Sequence, residues 1–299
     1  LGVRSRSILV EEYAGVLNLL PTKPVGSPGT VATRGRRTVR SLTIPHIPHD
    51  DTILPDEYQG IRAFGSESEF ESYSSIMANH LQTAKNKFAI TWEHLRFGAL
   101  KGLILDADGE LLYNLYTEFG IQQKRIDFKL GTSTTDVQVK CFEVSRHIED
   151  NLKGEVMSEI RVLVSQEFFD KLISHDLVKD AFKYHAAAQN TLGGDPRKSF
   201  SFGGLTFEEH RGQASDVEGN IRRFIAVGEG HAFPLGTMST FKTFYAPADF
   251  LETTNTLGLP LYAKQKVRDF ERGVDLHFQS NPLPLCLRPA LLVAVYSSN

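Results

Sequence analysis

The chain has 299 residues, 41% hydrophobic and 23% charged, with a formal net charge of -3 and a mean hydropathy of -0.22. That is enough apolar material for one large domain or two, and no run is apolar and long enough for a membrane span. Two cysteines, Cys141 and Cys286, cannot build a disulfide framework, so reduced, buried thiols and an intracellular site of synthesis are expected.

The N-terminus lacks the charged-then-apolar pattern of a signal peptide, and Leu1 is not expected to be the first encoded residue. Charge is unevenly spread. Residues 1–49 carry Arg4, Arg6, Lys23, Arg34, Arg36, Arg37 and Arg40 against only Glu11 and Glu12, while the remainder is net acidic. A basic segment on an acidic body suits nucleic acid or the body of another copy.

Ser7–Leu20 and Thr38–Ile47 read as strands, rich in Val, Ile, Leu and Thr. The stretch TKPVGSPGTVATRGRR between them has almost nothing to bury, which predicts a long two-stranded ribbon with a basic tip. Such a ribbon is marginal alone and is best explained by docking onto something else. A proline-punctuated connection follows. In it, His46-x-x-His49-Asp50-Asp51 has metal-ligand residue types, but Pro48 interrupts it and no strand or helix is expected to fix the side chains.

Glu67–Phe97 runs without proline or glycine, with Phe70, Tyr73, Met77, Leu81, Ala84, Phe88, Trp92 and Leu95 at steps of three and four. This predicts one amphipathic helix of roughly 45 Å, started by a Ser66-x-x-Glu69 capping box and ended by Gly98 or Gly102. Leu103–Leu105 and Glu110–Phe119 predict a hairpin around Asp106-Ala-Asp108-Gly109, a turn rather than a calcium loop because the other ligand positions are missing. Thr135–Leu152 predicts a second helix that buries Val139, Phe142, Ile148 and Leu152.

Ile160–Val164 reads as a strand leading into a helical segment capped by Ser165, and Ser199–Glu209 as a hairpin turning on Gly203-Gly204. Phe224–Val227 reads as a strand. The Gly228-Glu229-Gly230 after it lacks the third glycine and the helix of a nucleotide fingerprint. Val274–Gln279 alternates as a strand that Asn281-Pro282 and Pro284 break, and Leu291–Tyr296 is a continuous apolar strand for the core. The histidines are scattered, no serine sits in a nucleophile elbow, and no carboxylates are paired by spacing, so neither an enzyme nor a cofactor is implied.

Near the C-terminus the strings APADFLETTNTLGLPLYAK and QSNPLPLCLRP stand out. Together with IPHIP, GIRAFGSE, LRFGALKGLILDADGELLYNLYTEFG and FGGLTFEEHRG, in that order, they resemble the major capsid protein E family of tailed bacteriophages, relatives of the phage lambda coat protein. The resemblance covers essentially the whole chain. It implies an α+β, Hong Kong 97-type capsid fold: residues 1–47 as the extended loop, 48–134 as the peripheral domain with a spine helix at 67–97, and 135–236 as the axial domain. Residues 237–281 would then return through the peripheral domain, and 282–299 would supply the axial C-terminal strand. It also places an N-terminal arm ahead of Leu1.

The implied role is a subunit that self-assembles, as hexamers and pentamers, into an icosahedral head around double-stranded DNA. Portal, scaffolding and decoration proteins are the implied partners, DNA would be touched without sequence preference, and no membrane is involved. The implied location is the virion, after assembly in the host cytoplasm. Arg34, Arg36, Arg37 and Arg40, with Glu11 and Glu12, are the expected subunit contacts. A cargo-holding shell of the same fold is the alternative, and a metal-dependent hydrolase built on His46–Asp51 a remote one.

Overall fold

The computed structural model describes residues 1–13, 37–57, 72–216 and 218–298. Strands β1 (Ser7–Tyr13) and β2 (Arg37–Thr43) pair as a two-stranded ribbon, and β3 (Ile47–Ile53) follows directly. The connection expected to be irregular around His49–Asp51 is therefore a strand. Pro48 is tolerated because β3 lies at the edge of its sheet, where a missing N–H costs no ladder bond.

The long helix α1 spans Tyr73–Lys101. It is capped by Ser72, whose Oγ accepts from the Ser75 N–H at 3.2 Å, so it begins later than Glu67; the Ser66-x-x-Glu69 box lies outside the described residues. Gly98 stays helical, and the helix ends at Gly102, where φ is +75° and a Cβ would lie 2.5 Å from the Tyr116 ring. Only glycine meets both demands.

Strands β4 (Leu103–Leu105) and β5 (Leu111–Asn114) form the expected hairpin. The strand expected to continue to Phe119 does not, because Asn114 Oδ1 accepts from the N–H groups of Tyr116 and Thr117 and starts helix α2 (Leu115–Phe119). Strand β6 (Lys124–Asp127) leads to α3 (Val137–Leu152), which buries Val137, Cys141, Val144, Ile148 and Leu152. Val139 and Phe142, expected inside, are exposed: the buried stripe starts at Val137 and leaves both on the outer side.

Strand β7 (Glu159–Val164) enters α4 (Gln166–Ser174), capped as expected by Ser165, whose Oγ accepts from the Phe168 N–H at 3.3 Å. The helical segment breaks at His175, and α5 (Asp176–Leu192) starts afresh. Strands β8 (Phe200–Phe202) and β9 (Leu205–Glu209) turn on the two glycines, followed by the hairpin β10 (Gln213–Ser215) and β11 (Ile221–Arg223). Residues 224–227, expected as a strand, are a bend leading to β12 (Glu229–Leu235).

Strands β13 (Phe241–Tyr245), β14 (Tyr262–Val267), β15 (Val274–Ser280), β16 (Pro282–Cys286) and β17 (Val293–Tyr296) complete the chain. Strand β15 breaks at Asn281 as expected, and Pro282 and Pro284 then lie in a new strand, β16. The odd-numbered neighbours carry the bonds, with Ala246 N–H donating to the Asn281 carbonyl and Leu287 N–H to that of Thr240, so the prolines' missing donors face the other edge.

Contacts group the chain into two units, each of non-contiguous segments. The first comprises Leu1–Leu9, Ser41–Arg96 and Lys242–Leu285. Its three-stranded antiparallel sheet, in the order β14-β15-β3, packs Ile53, Leu276 and Phe278 on Ile76, Ala84 and Phe88 of α1. The second comprises Val10–Arg40, Phe97–Phe241 and Cys286–Asn299. Its mixed sheet has the order β6-β17-β12-β7-β9-β8, and its core joins strand residues such as Val162, Phe207 and Val293 to Cys141, Phe168, Phe169 and Val178 of the helices.

Gly230 on β12 sits between two strands, where an added Cβ would lie 2.6 Å from Val164 Cγ1 and 3.0 Å from both the Leu163 carbonyl oxygen and Val295 Cγ2. Gly230→Ala should destabilise the subunit by about 1–3 kcal/mol, as overpacking does. Urea unfolding checks this; an unchanged midpoint would refute the close approach.

Candidate assembly surfaces

The His46–Asp51 residues are distributed among different partners instead of converging. Alternation along β3 turns neighbours to opposite faces of the sheet. Asp51 Oδ2 accepts from His80 Nδ1 of α1 at 2.7 Å, and Glu57 Oε2 accepts from His80 Nε2 at 3.0 Å. Asp50 Oδ1 lies 2.5 Å from His277 Nδ1 on β15. His49 stacks on Phe278 and receives the Lys87 ammonium at 3.2 Å, while His46 Nδ1 is 3.0 Å from both Asn281 Oδ1 and the Gln279 carboxamide. Among the described residues no group of three His, Cys, Asp or Glu side chains is arranged to hold a metal ion.

The arrangement is a polar clasp between α1 and β3. With a carboxylate facing each ring nitrogen, the geometry favours the protonated, doubly donating form of His80. Its pKa is raised foremost by the hydrogen bond to Asp51, against the burial that lowers it, with further help from Glu57. Asp51 ends below the usual carboxylate range: burial pushes it up, but the His80 and Thr52 hydrogen bonds outweigh this. His49, unlike His80, is lowered, by burial and then by Lys87. Glu57 and His80 were not foreseen; the helix spacing put His80 off the apolar stripe, and nothing in sequence joined it to Asp51.

Of the six expected contact residues, Arg40 has its side chain described. Its Nε donates to the Glu118 carbonyl at 2.5 Å and its guanidinium centre lies 4.9 Å from the Phe119 ring centroid, so it is engaged within its own chain. Glu11 and Glu12 fall in β1 and Arg37 opens β2, while Arg34 and Arg36 lie outside the described residues. The polar residues of QSNPLPLCLRP prove to be internal. Ser280 Oγ accepts from Trp92 Nε1 at 2.9 Å and donates to the Pro260 carbonyl, and Asn281 Nδ2 donates to that of Pro247. Arg288 pairs with Glu155 and donates to the Asn151 and Leu152 carbonyls at 2.7 Å, closing the C-terminus of α3.

The clasp sets a pH dependence. A raised His80 contributes stability fully below its unfolded value of about 6.5 and loses it as pH rises through the folded value. A lowered Asp51 contributes above about 3.9 and loses it as pH falls. His80→Gln should therefore cost about 1 kcal/mol near pH 6 and progressively less toward about pH 9. Urea unfolding of both proteins across that range checks it; a constant difference would refute the protonated clasp.

The phage major capsid protein E family model matches residues 1–297. The chain is 32% identical over 293 residues to the major capsid protein of Salmonella phage Felix O1, covering 88% of this chain and 80% of that one. It is 31% identical over 306 residues to the major capsid protein of Pseudomonas phage KPP10, covering 96% and 86%. Among solved structures it is similar to the mature capsid of bacteriophage PhiM1, with a TM-score of 0.54 at 13% identity, covering 99% of this chain and 83% of that one. The α+β architecture is thus the Hong Kong 97-type capsid fold. The chain belongs to the phage major capsid protein E family and is a structural subunit of a phage head.

Proposed function

We propose that the chain builds, as hexamers and pentamers, an icosahedral shell that encloses double-stranded DNA, with portal, scaffolding and decoration proteins as partners. In this reading the first unit is the peripheral domain, with α1 as its spine, and the second is the axial domain. Assembly takes place in the host cytoplasm. The observation that carries the reading is the family match across residues 1–297, joined to a 29-residue helix and two units braided from separate segments. The role is structural and non-enzymatic.

Imaging and sedimentation of the purified protein test it. Megadalton particles containing DNA are expected; a small oligomer would overturn the shell, and particles devoid of DNA when isolated from infected cells would favour a cargo-holding one. Contact with DNA should be weak and insensitive to sequence, since the chain beyond residue 49 is net acidic.

The ribbon is proposed to dock on a neighbouring copy through Arg34, Arg36 and Arg37, with Glu11 and Glu12 as further contacts; Arg40 braces its base. Each exposed pair contributes only about 0–1 kcal/mol, but repetition at every subunit selects the neighbour and steers docking. Arg36→Glu with Arg37→Glu should leave the monomer folded by circular dichroism and impair shell formation. Normal shells that lose only DNA would assign the ribbon to nucleic acid instead.

A further inference from the structure

Two helices of the second unit each carry a second apolar stripe that its core does not use. On α3, Val139 is 52% and Phe142 38% exposed, and at 100° per residue they lie on the side opposite Val137, Cys141, Val144, Ile148 and Leu152. Arg146 follows Phe142 by four residues, its guanidinium 5.8 Å from the ring centroid. On α5, Leu177 is 57% and Tyr184 77% exposed, and with exposed Ala181 and Ala188 they follow the i, i+4, i+7, i+11 spacing of one helix face. Asp180 precedes Tyr184 by four residues. Neither Arg146 nor Asp180 has an ion-pair partner among the described residues.

We infer that the outer face of α3 in one copy packs, antiparallel, against the outer face of α5 in the next. Antiparallel alignment sets Phe142 opposite Tyr184 and Arg146 opposite Asp180, because both pairs are spaced by four residues in opposite order. The faces match in chemistry: an aromatic on each, a small-residue groove of Ala181 and Ala188 beside Val139, and the opposite charges of Arg146 and Asp180 brought face to face. Two different patches on one subunit make a head-to-tail contact, which closes into a ring when the rotation permits and then leaves neither face uncovered. Exposed aromatics flanked by charge are the residues that anchor such interfaces. The inference rests on the shell reading and deepens it by naming which surfaces meet.

The test is co-assembly of Phe142→Cys subunits with Tyr184→Cys subunits; the natural Cys141 and Cys286 are buried. Mild oxidation of the mixed particles should yield covalent dimers, and particles whose subunits carry both substitutions should yield ladders ending in a closed ring. Particles of either single variant should stay monomeric on a denaturing gel. Cross-linking within a single variant would mean like faces meet and would overturn the proposal. So would mixed particles in which neither cysteine cross-links and both react with maleimide as fast as in the free subunit, instead of about tenfold more slowly as burial demands.

Should a cysteine variant fail to assemble, charge exchange decides. Arg146→Asp and Asp180→Arg should each reduce particle yield while the subunit stays folded, and the combined exchange should restore it; no restoration would overturn the pairing. Failure of the unsubstituted chain to form particles would instead overturn the shell reading itself.

Discussion

The central sheet of the second unit is closed by the end of the chain. Strand β17 lies between β6, which it pairs in parallel, and β12, which it pairs antiparallel. Val293 and Val295 on it are buried at the heart of the core. Until those residues arrive, β6 has no neighbour and β12 has an open edge, an arrangement that invites pairing with other chains. The turn before β17 also anchors α3, through His147 Nε2 on the Ala290 carbonyl at 3.1 Å and through Arg288 on its last carbonyls. A sheet built on contacts this distant in sequence pays a loop-closure penalty first and gains its packing late, so folding should be slow compared with a helical bundle of equal size.

The first unit solves a related problem with charge as well as apolar packing. Strand β15 pairs with β3 although more than 200 residues separate them, and register there is specified by residues at the pairing itself. Asp50 meets His277, Thr52 donates to Asp275, and Arg268 grips both Thr52 and Asp275. A slip of one residue would flip each of these groups to the wrong face, so the ladder of polar pairs specifies the register that apolar content leaves weakly determined. Exposed ion pairs add little stability one by one. Their contribution here is to discriminate between pairings.

What could be read in the sequence followed local physics. The long helix, the Asp-Gly hairpin, Ser165 as a cap and the double-glycine turn each depend on residues within a few positions of one another, and periodicity or turn chemistry reports such things directly. Strand β12 escaped because EGHAFPL contains glycine and proline in a central strand: Gly230 is there for close approach to Val164 and Val295, a fact about two distant strands. Asn114 illustrates the other failure, a single cap that turned an expected strand into a helix. Val139 and Phe142 were apolar as read but faced outward. The clasp of Asp51, Glu57 and His80 left no trace in spacing, since its members come from a strand, a turn and a helix. The family resemblance, carried by long strings, gave the fold class where periodicity could not.

The two thiols have a consequence for how such a particle can be followed. Cys141 lies within the α3 core stripe and Cys286 at the end of β16, both buried, and burial pushes each thiol pKa up to about 12. Nucleophilic attack needs the thiolate, so at neutral pH both are doubly silenced, by scarcity of the reactive form and by lack of access. Any labelling that does occur must pass through an opened state, which turns each cysteine into a clock for its own neighbourhood. Cys141 times the lifting of α3 from the sheet, and Cys286 the departure of β16 from β13. Their relative rates would order the loosening of one shell subunit without any foreign probe, and would do so inside an intact particle as readily as in solution.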